Sequence, residues 1–487
     1  MTTSASPHPD AHASLLRQAL KSVVALGARQ ALVQVANLLG GIALTRLLSP
    51  GQYGVYGIIT FVLGFAATLG DVGLGASLIR DPEQPTEHDY RVVFGAQQAL
   101  ITCAVVALWF ASPFIAAAYK LGPEDSWLFR AVGLSLLLTG FQTIPAIRLE
   151  RELAFDRLSI VEVSQALIFN VVAVALAWAG FGAQTFAYAI LARALAGAVV
   201  IQLVSRWTFG VHWDWPLLKR HLAFGLPYQG IGAVSLVKDS ISPLLLGMTA
   251  GTAAVGHVSW AGMVAAYPVM LMMILQRLYL PTFARFQHDR AMLGAVVERV
   301  IWATNALAAP AAVLTLVLFE PLTVLLFGEQ WLAAHSLFLL LWSANIFVPT
   351  VTPLLGLMNA LGHSRVALAF AVIWMIGTWL FGVPLILRYG ELGYGVANVL
   401  VQLTNLALFR IAKRHVPFDV LKTITPAWLV AVGMGGIMFA LQRALPAHNH
   451  FMLVLYILCG AAIYAVSVRF FNRRAFTQAR ELLRKTP

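Results

Sequence analysis

The sequence predicts an all-α polytopic membrane protein of about fourteen transmembrane helices, and three observations predict it. Of the 487 residues, 59% are apolar and only 11% are charged, against roughly 25% charged in soluble domains. The apolar residues fall into fourteen runs long enough to cross a bilayer, which takes about 20 residues per helix. The basic residues then alternate along those runs. With the N-terminus placed in the cytoplasm, 25 of the 33 Lys and Arg lie in cytoplasmic segments. Four lie in outer loops (Arg46, Lys120, Arg388, Arg443) and four inside spans (Arg29, Arg130, Arg193, Lys238). Cytoplasmic excess of Lys and Arg is the general rule of membrane topology, so the net charge of +12 is topogenic and nucleic acid is excluded as a partner.

In chain order, a polar cytoplasmic segment (1–21) precedes a first bundle of six spans (22–204). Its spans are 22–45, 54–79, 92–117, 127–147, 158–180 and 183–204. The start is no signal peptide, because the first apolar run is too long and no small-residue cleavage site follows a short core. A cytoplasmic linker (205–221) leads to a second bundle of six (222–411), with spans 222–246, 253–275, 300–326, 332–360, 366–387 and 391–411. The tenth span is broken by Pro349 and Pro353. Two additional spans follow (425–443 and 451–470, together 425–470), then a basic cytoplasmic tail (471–487). Loops are short throughout; the longest connection, 276–299, is expected to hold an interfacial helix. Any function therefore lies among the helices.

Cysteine and histidine add little. Cys103 and Cys459 stand far apart in apolar runs, which supports neither a disulfide framework nor a metal site. No metal and no organic cofactor is expected.

The two bundles share a faint repeat. "LTRLLSPGQYGVYGIITFV" (44–62) and "LLLGMTAGTAAVGHVSWAGMV" (244–264) each end a span, turn on small residues and restart after a glycine, Gly54 or Gly256. An even, six-span period keeps both halves in one orientation. That implies two six-helix bundles related by a pseudo-two-fold axis along the membrane normal, a transporter arrangement with its site between the halves.

Seven ionisable residues fall well inside spans: Arg29, Asp71, Arg130, Glu162, Arg193, Lys238 and Asp239. Each costs about 2.5–3.5 kcal/mol at the centre of a span, so such residues face a bundle interior or a wet cavity. Helical spacing arranges polar residues into stripes. Arg29, Gln30, Gln34 and Asn37 mark span 1, and Gly64, Thr68, Asp71 and Gly75 mark span 2. Ser159, Glu162 and Gln165 mark span 5; Ser235, Lys238, Asp239 and Ser242 mark span 7; Asn398, Gln402 and Asn405 mark span 12. Lys238 and Asp239 are adjacent and are expected to splay to either side of a seam, not to form a simple ion pair.

The first hairpin carries a resemblance. Leu47-Leu48-Ser49-Pro50, then Tyr53-Gly54, then Asp71-Val72-Gly73-Leu74-Gly75 resemble the signature of the polysaccharide transporter family. These are Wzx-type oligosaccharide and lipopolysaccharide flippases of the multidrug/oligosaccharidyl-lipid/polysaccharide (MOP) exporter superfamily. The second-half turn lacks the proline and the aromatic residue. The resemblance implies export of undecaprenyl-diphosphate-linked oligosaccharide across the cytoplasmic membrane by alternating access, with the lipid bilayer and polysaccharide polymerase or chain-length machinery as partners. Both termini are expected in the cytoplasm.

On that reading Arg29 and Lys238, one cation from each half, hold the diphosphate. Gln30, Gln34, Asn37, Ser235, Ser242, Arg193, Asn398 and Gln402 line the sugar cavity. Asp71, Glu162 and Asp239 supply coupling or charge balance, the coupling ion being proton or sodium. Plainer roles stand beside these: Arg29 snorkelling, Arg193 paired with Glu162, Asp71 in a hinge. A cation-coupled drug antiporter on the same fold is the second hypothesis, but it calls for a cavity richer in carboxylates. A membrane-embedded polymerase or glycosyltransferase calls for a sizeable outer loop, and no outer loop exceeds about ten residues. The chain is expected not to be an enzyme.

Overall fold

A computed structural model describes residues 32–471, and among them regular structure is helical throughout. Helix α1 (Leu32–Leu47) is the described part of the first span. After it come α2 (Pro50–Asp71), the short α3 (Leu74–Arg80), α4 (Glu87–Ala118), α5 (Ser126–Arg151), α6 (Phe155–Trp178) and α7 (Gln184–Val204). Helix α8 (Trp215–Asp239) gives way at Ser240 to a π-helical stretch, Ser242–Leu246, and α9 (Gly247–Ala250). Then follow α10 (Thr252–Arg285), α11 (Arg290–Val317), α12 (Phe319–Leu322), α13 (His335–Asn345), α14 (Val348–Ala360), α15 (Ser364–Leu403), α16 (Asn405–His415), α17 (Val420–Ala444) and α18 (His450–Phe471).

Eleven of the described helical stretches are long and apolar enough to cross a membrane, twelve with the bent stretch through α8 and α9. One of the eleven, Ser364–His415, runs for 52 residues and contains two spans. Gly390 has φ 59° and ψ −132°, a conformation that glycine adopts without a Cβ penalty. The chain doubles back there: a Cβ on Gly393 would lie 2.0 Å from the Leu385 carbonyl oxygen, and Gly382 and Gly377 meet Ala397 and Val401 in antiparallel register. With this division and α1, the count reaches the predicted fourteen. The tenth span breaks at 346–347, between α13 and α14, just before Pro349. Its proline ring has no N–H to continue the ladder.

Two expectations change. The linker over 205–221 is irregular only over 205–214, because Trp215 already opens α8. The connection over 276–299 holds no separate interfacial helix: α10 runs on to Arg285 and α11 starts at Arg290 behind an Asp289 cap.

The chain divides into two compact units, one comprising the chain up to Leu48 with Ile58–Ala233, the other Ser49–Gly57 with Val234 onward. In the first unit, α3, α4 and α5 enclose Leu74, Leu78, Val93 and Ile144 with Trp207. Arg151 finishes α3 there, its guanidinium donating to the carbonyls of Leu78, Ile79, Asp81 and Glu83 at 2.5–3.2 Å. Those carbonyls have no partner within the helix.

In the second unit, α17 and α18 close over α11 through Val313, Leu314, Met434, Met438, Leu453 and Tyr456. The additional pair of spans is thus built into that unit's core. At the centre Asn305, fully buried, is completely satisfied. Its amide donates to the Ile301 carbonyl (2.8 Å) and the Thr350 hydroxyl (3.1 Å) and accepts from Trp428 Nε1 (3.0 Å). Removing one partner strands the others, at about 1–3 kcal/mol per buried orphan. Asn305→Leu is therefore expected to lower the thermal midpoint of the purified protein, and adding Trp428→Phe to recover part of the loss. Equal midpoints for wild type and Asn305→Leu would show that the network adds nothing to stability.

Candidate functional site

One ion pair of the second unit sits where α8 ends. Pro243 cannot donate a backbone hydrogen bond, so the carbonyl of Asp239, four residues earlier, loses its helical partner and the chain widens into the π-helical turn. At this break Lys238 Nζ and Asp239 Oδ1 are 2.5 Å apart, with side chains 34% and 65% exposed. The expected splaying is thus corrected. Helical spacing keeps adjacent residues apart, but the four-carbon lysine stem at a helix end folds back across the last turn.

The surrounding groups hold this end in place. Trp379 Nε1 on α15 donates to the Val237 carbonyl (2.8 Å), as does the Ser240 hydroxyl (2.7 Å). The second arm of α15 runs close to the break, since a Cβ on Gly382 would lie 2.5 Å from Ile241 Cδ1 and 3.9 Å from Ala397 Cβ. On that arm Asn398 Nδ2 donates to the Tyr394 carbonyl (2.9 Å). Further along the same face Gln402 accepts from Asn405 Nδ2 (2.5 Å), and Trp374 Nε1 donates to Asn405 Oδ1 (3.2 Å). Tyr394 and Glu391 continue the same helix face toward the hairpin tip.

Of the predicted site residues, the structure pairs Lys238 with Asp239, while Asn398 and Gln402 lie four residues apart on one face of α15. Ser235 is exposed on α8, whereas Ser242 is buried in the π-helical turn. In the first unit Gln34 and Asn37 are exposed on α1, and Asn37 Oδ1 accepts from Asn170 Nδ2 (3.0 Å). Arg193 is exposed on α7. Glu162 is half-buried on α6. Asp71 is the last residue of α2, and the left-handed Gly73 (φ 75°) separates it from α3. Val72 beside it is held at φ 42°, a strained conformation for a β-branched residue. Arg29 and Gln30 lie outside the described residues.

Three groups escaped the sequence reading. Gln142 on α5 accepts from Gln165 Nε2 (2.6 Å) and donates to the Ala194 carbonyl (2.8 Å), joining α5, α6 and α7. His257 and Glu391 form a pair at 2.8 Å. The signal for His257 was a lone imidazole inside span 8. Glu391 fell at a span boundary and so escaped the count of buried charges.

Helices of membrane-spanning length with ion pairs and amides ranged along their faces define a multi-pass helical membrane protein, and its fold is that of the MOP superfamily. The structure matches the lipid II flippase MurJ in an inward closed conformation with a TM-score of 0.75 at 12% identity, over 93% of this chain and 99% of that one. It matches a multidrug resistance MATE family transporter of the MOP superfamily with a TM-score of 0.60 at 16% identity, over 88% and 100%.

The chain belongs to the family described as Polysaccharide biosynthesis protein, whose model matches residues 43–336. The succinoglycan biosynthesis transport protein ExoT of Rhizobium meliloti is 27% identical over 69% of this chain and 68% of its own. The lipopolysaccharide biosynthesis protein WzxC of Escherichia coli is 22% identical over 75% and 74%.

Proposed function

We propose that this protein is a flippase that carries an undecaprenyl-diphosphate-linked oligosaccharide repeat unit across the cytoplasmic membrane for polysaccharide synthesis. The observation that carries the reading is the cation of Lys238, held at a break in α8 beside a stripe of amides, in a chain whose family makes polysaccharide. A diphosphate is the charged part of such a lipid. A lysine ammonium offers it a point charge, and the amides of Asn398 and Gln402 suit hydroxyl-rich sugars. Asp239 neutralises Lys238 while the site is empty and yields it to the incoming anion. Arg29, by its place in span 1, is the second cation of this reading, and Gln30, Gln34, Asn37 and Arg193 are further sugar contacts. The chain acts by transport, without bond-making chemistry.

The test is a deletion strain assayed for diphosphate-linked glycan on each membrane face. The reading requires accumulation on the cytoplasmic face and loss of polymer, both restored by the intact gene. An unchanged distribution would reject it.

Orientation belongs to the same proposal, with both termini in the cytoplasm, supported by the basic-residue alternation. Reporter fusions near Lys120, Gly328 and His448 are expected to register outside, and fusions near Pro85, His212 and Pro417 inside. A consistent inversion after any one span would overturn the arrangement.

A further inference from the structure

The two units differ in how their basic residues are balanced. On the side that the charge alternation assigns to the cytoplasm, the connections of the first unit (72–91, 148–157 and 205–221) hold eight Lys and Arg and eight Asp and Glu. Some of these are paired, Arg148 with Glu87 at 3.0 Å and Arg220 with Asp81. The corresponding connections of the second unit (277–299, 361–365 and 410–422) hold nine Lys and Arg and only three acids. Topology does not call for this difference, because Asp and Glu contribute little to orientation.

Backbone groups engage all three acids. Asp289 accepts from the N–H groups of Ala291 and Met292 at 3.0 Å, Glu298 from that of Asp419 at 2.9 Å, and Asp419 from that of Lys422 at 3.4 Å. Among the described residues none of the three is in an ion pair.

The same contacts gather this end of the second unit into one surface. Glu298 ties α11 to the start of α17, and a Cβ on Gly294 would lie 2.2 Å from the Pro417 carbonyl oxygen. The His363 and His415 rings, 4.4 Å apart, set the start of α15 against the end of α16. On α16, Arg410, Lys413 and Arg414 are all exposed. Their spacing, i, i+3 and i+4, puts them on one face. Arg290, Arg365 and Lys422 are exposed on the first turns of α11, α15 and α17.

Apolar residues stand beside these cations. Leu406 is exposed one turn before Arg410, Leu421 is exposed beside Lys422, and Met292 is exposed two positions after Arg290. A long cationic side chain next to exposed apolar surface suits the level where acyl chains give way to headgroups. An acidic protein bound here would leave those side chains against water.

We infer that this end of the second unit docks anionic phospholipid headgroups, with Arg410, Lys413 and Arg414 at its centre. The inference concerns the surrounding bilayer and not the transported molecule. An anionic leaflet attracts a basic surface more strongly with each Lys or Arg brought near it, and the guanidinium fork meets two phosphate oxygens at once. The headgroups supply the negative charge that the three backbone-bound acids do not.

The test adds dioleoyl phosphatidylglycerol or dioleoyl phosphatidylcholine to the full chain in neutral detergent and reads bound lipid by native mass spectrometry. Wild type is expected to bind phosphatidylglycerol on the order of tenfold more tightly, and to lose most of that preference between about 0.05 M and about 0.5 M ammonium acetate. Arg410→Gln, Lys413→Gln and Arg414→Gln are each expected to weaken phosphatidylglycerol by up to about fivefold, and together to bring the two lipids to parity. Arg157→Gln, Arg206→Gln and Lys219→Gln together remove as much charge from the balanced end of the first unit and are expected to keep the preference. Equal losses in the two triple variants would make net charge the cause and overturn the site. A wild-type preference that is absent or insensitive to salt overturns it as well. Displacement of the lipid by equimolar inorganic phosphate or polyglutamate would assign the surface to a soluble anion or an acidic protein and overturn the lipid assignment. Should the triple variant fail to insert, the single variants and the salt series decide.

Discussion

Lys238→Met is expected to abolish glycan export while the protein still inserts and accumulates in the membrane. The side chain keeps its length and loses only its charge, so the packing of the α8 break, held by Trp379 and Ser240 on the Val237 carbonyl, is left in place. Losing a charge-assisted contact costs about 1.5–3 kcal/mol, or roughly a ten- to hundredfold loss of anion affinity. Lys238→Arg is expected to retain part of the export, because a guanidinium grips phosphate oxygens by two parallel bonds yet is bulkier and flat. Complementation of a deletion strain, read as polymer yield alongside membrane abundance, measures both. Normal export by Lys238→Met would make Lys238 a structural partner of Asp239 and move the diphosphate site elsewhere.

The second large effect falls at the crossing of α2 and α10. A Cβ on Gly54 would lie 1.8 Å from the Thr252 carbonyl oxygen, and one on Gly256 would lie 1.9 Å from that of Pro50. The contact is reciprocal, since each glycine meets the carbonyl four residues before the other. Valine at either position drives the two backbones apart, and overpacking of this kind costs about 1–3 kcal/mol. Gly54→Val and Gly256→Val are each expected to lower the thermal midpoint of the purified protein and to impair export. The double variant is expected to lose less than the two single losses combined, because both act on one contact. Gly436→Ala, with open space around it, serves as the control and is expected to be neutral. Strictly additive losses in the double variant would mean that the two glycines serve separate contacts.

The crossing also shows what a weak repeat was worth. Gly54 and Gly256 each marked the restart after a turn, and these are the positions at which α2 and α10 touch. Glycine was legible in the sequence because only a residue without a Cβ allows backbones so close. The partner of each glycine was not, since it lies some two hundred positions away in the chain. Asp71 drew attention by its charge inside a span, and the structure places it at the last residue of α2, before the left-handed Gly73.

By itself the sequence determined the class of protein, the fourteen spans and the helix faces that carry polar residues. Those properties follow from short-range rules: a bilayer demands about 20 apolar residues per span, and a helix brings residues three or four apart onto one face. The tertiary structure alone decided which polar groups meet. It turned Lys238 and Asp239 into an ion pair and joined His257 to Glu391, 134 residues further along the chain. The physical reason is that a buried charge is costly wherever it lies in the sequence, but what relieves it is a partner within about 4 Å in space, and that distance is set by packing and not by periodicity.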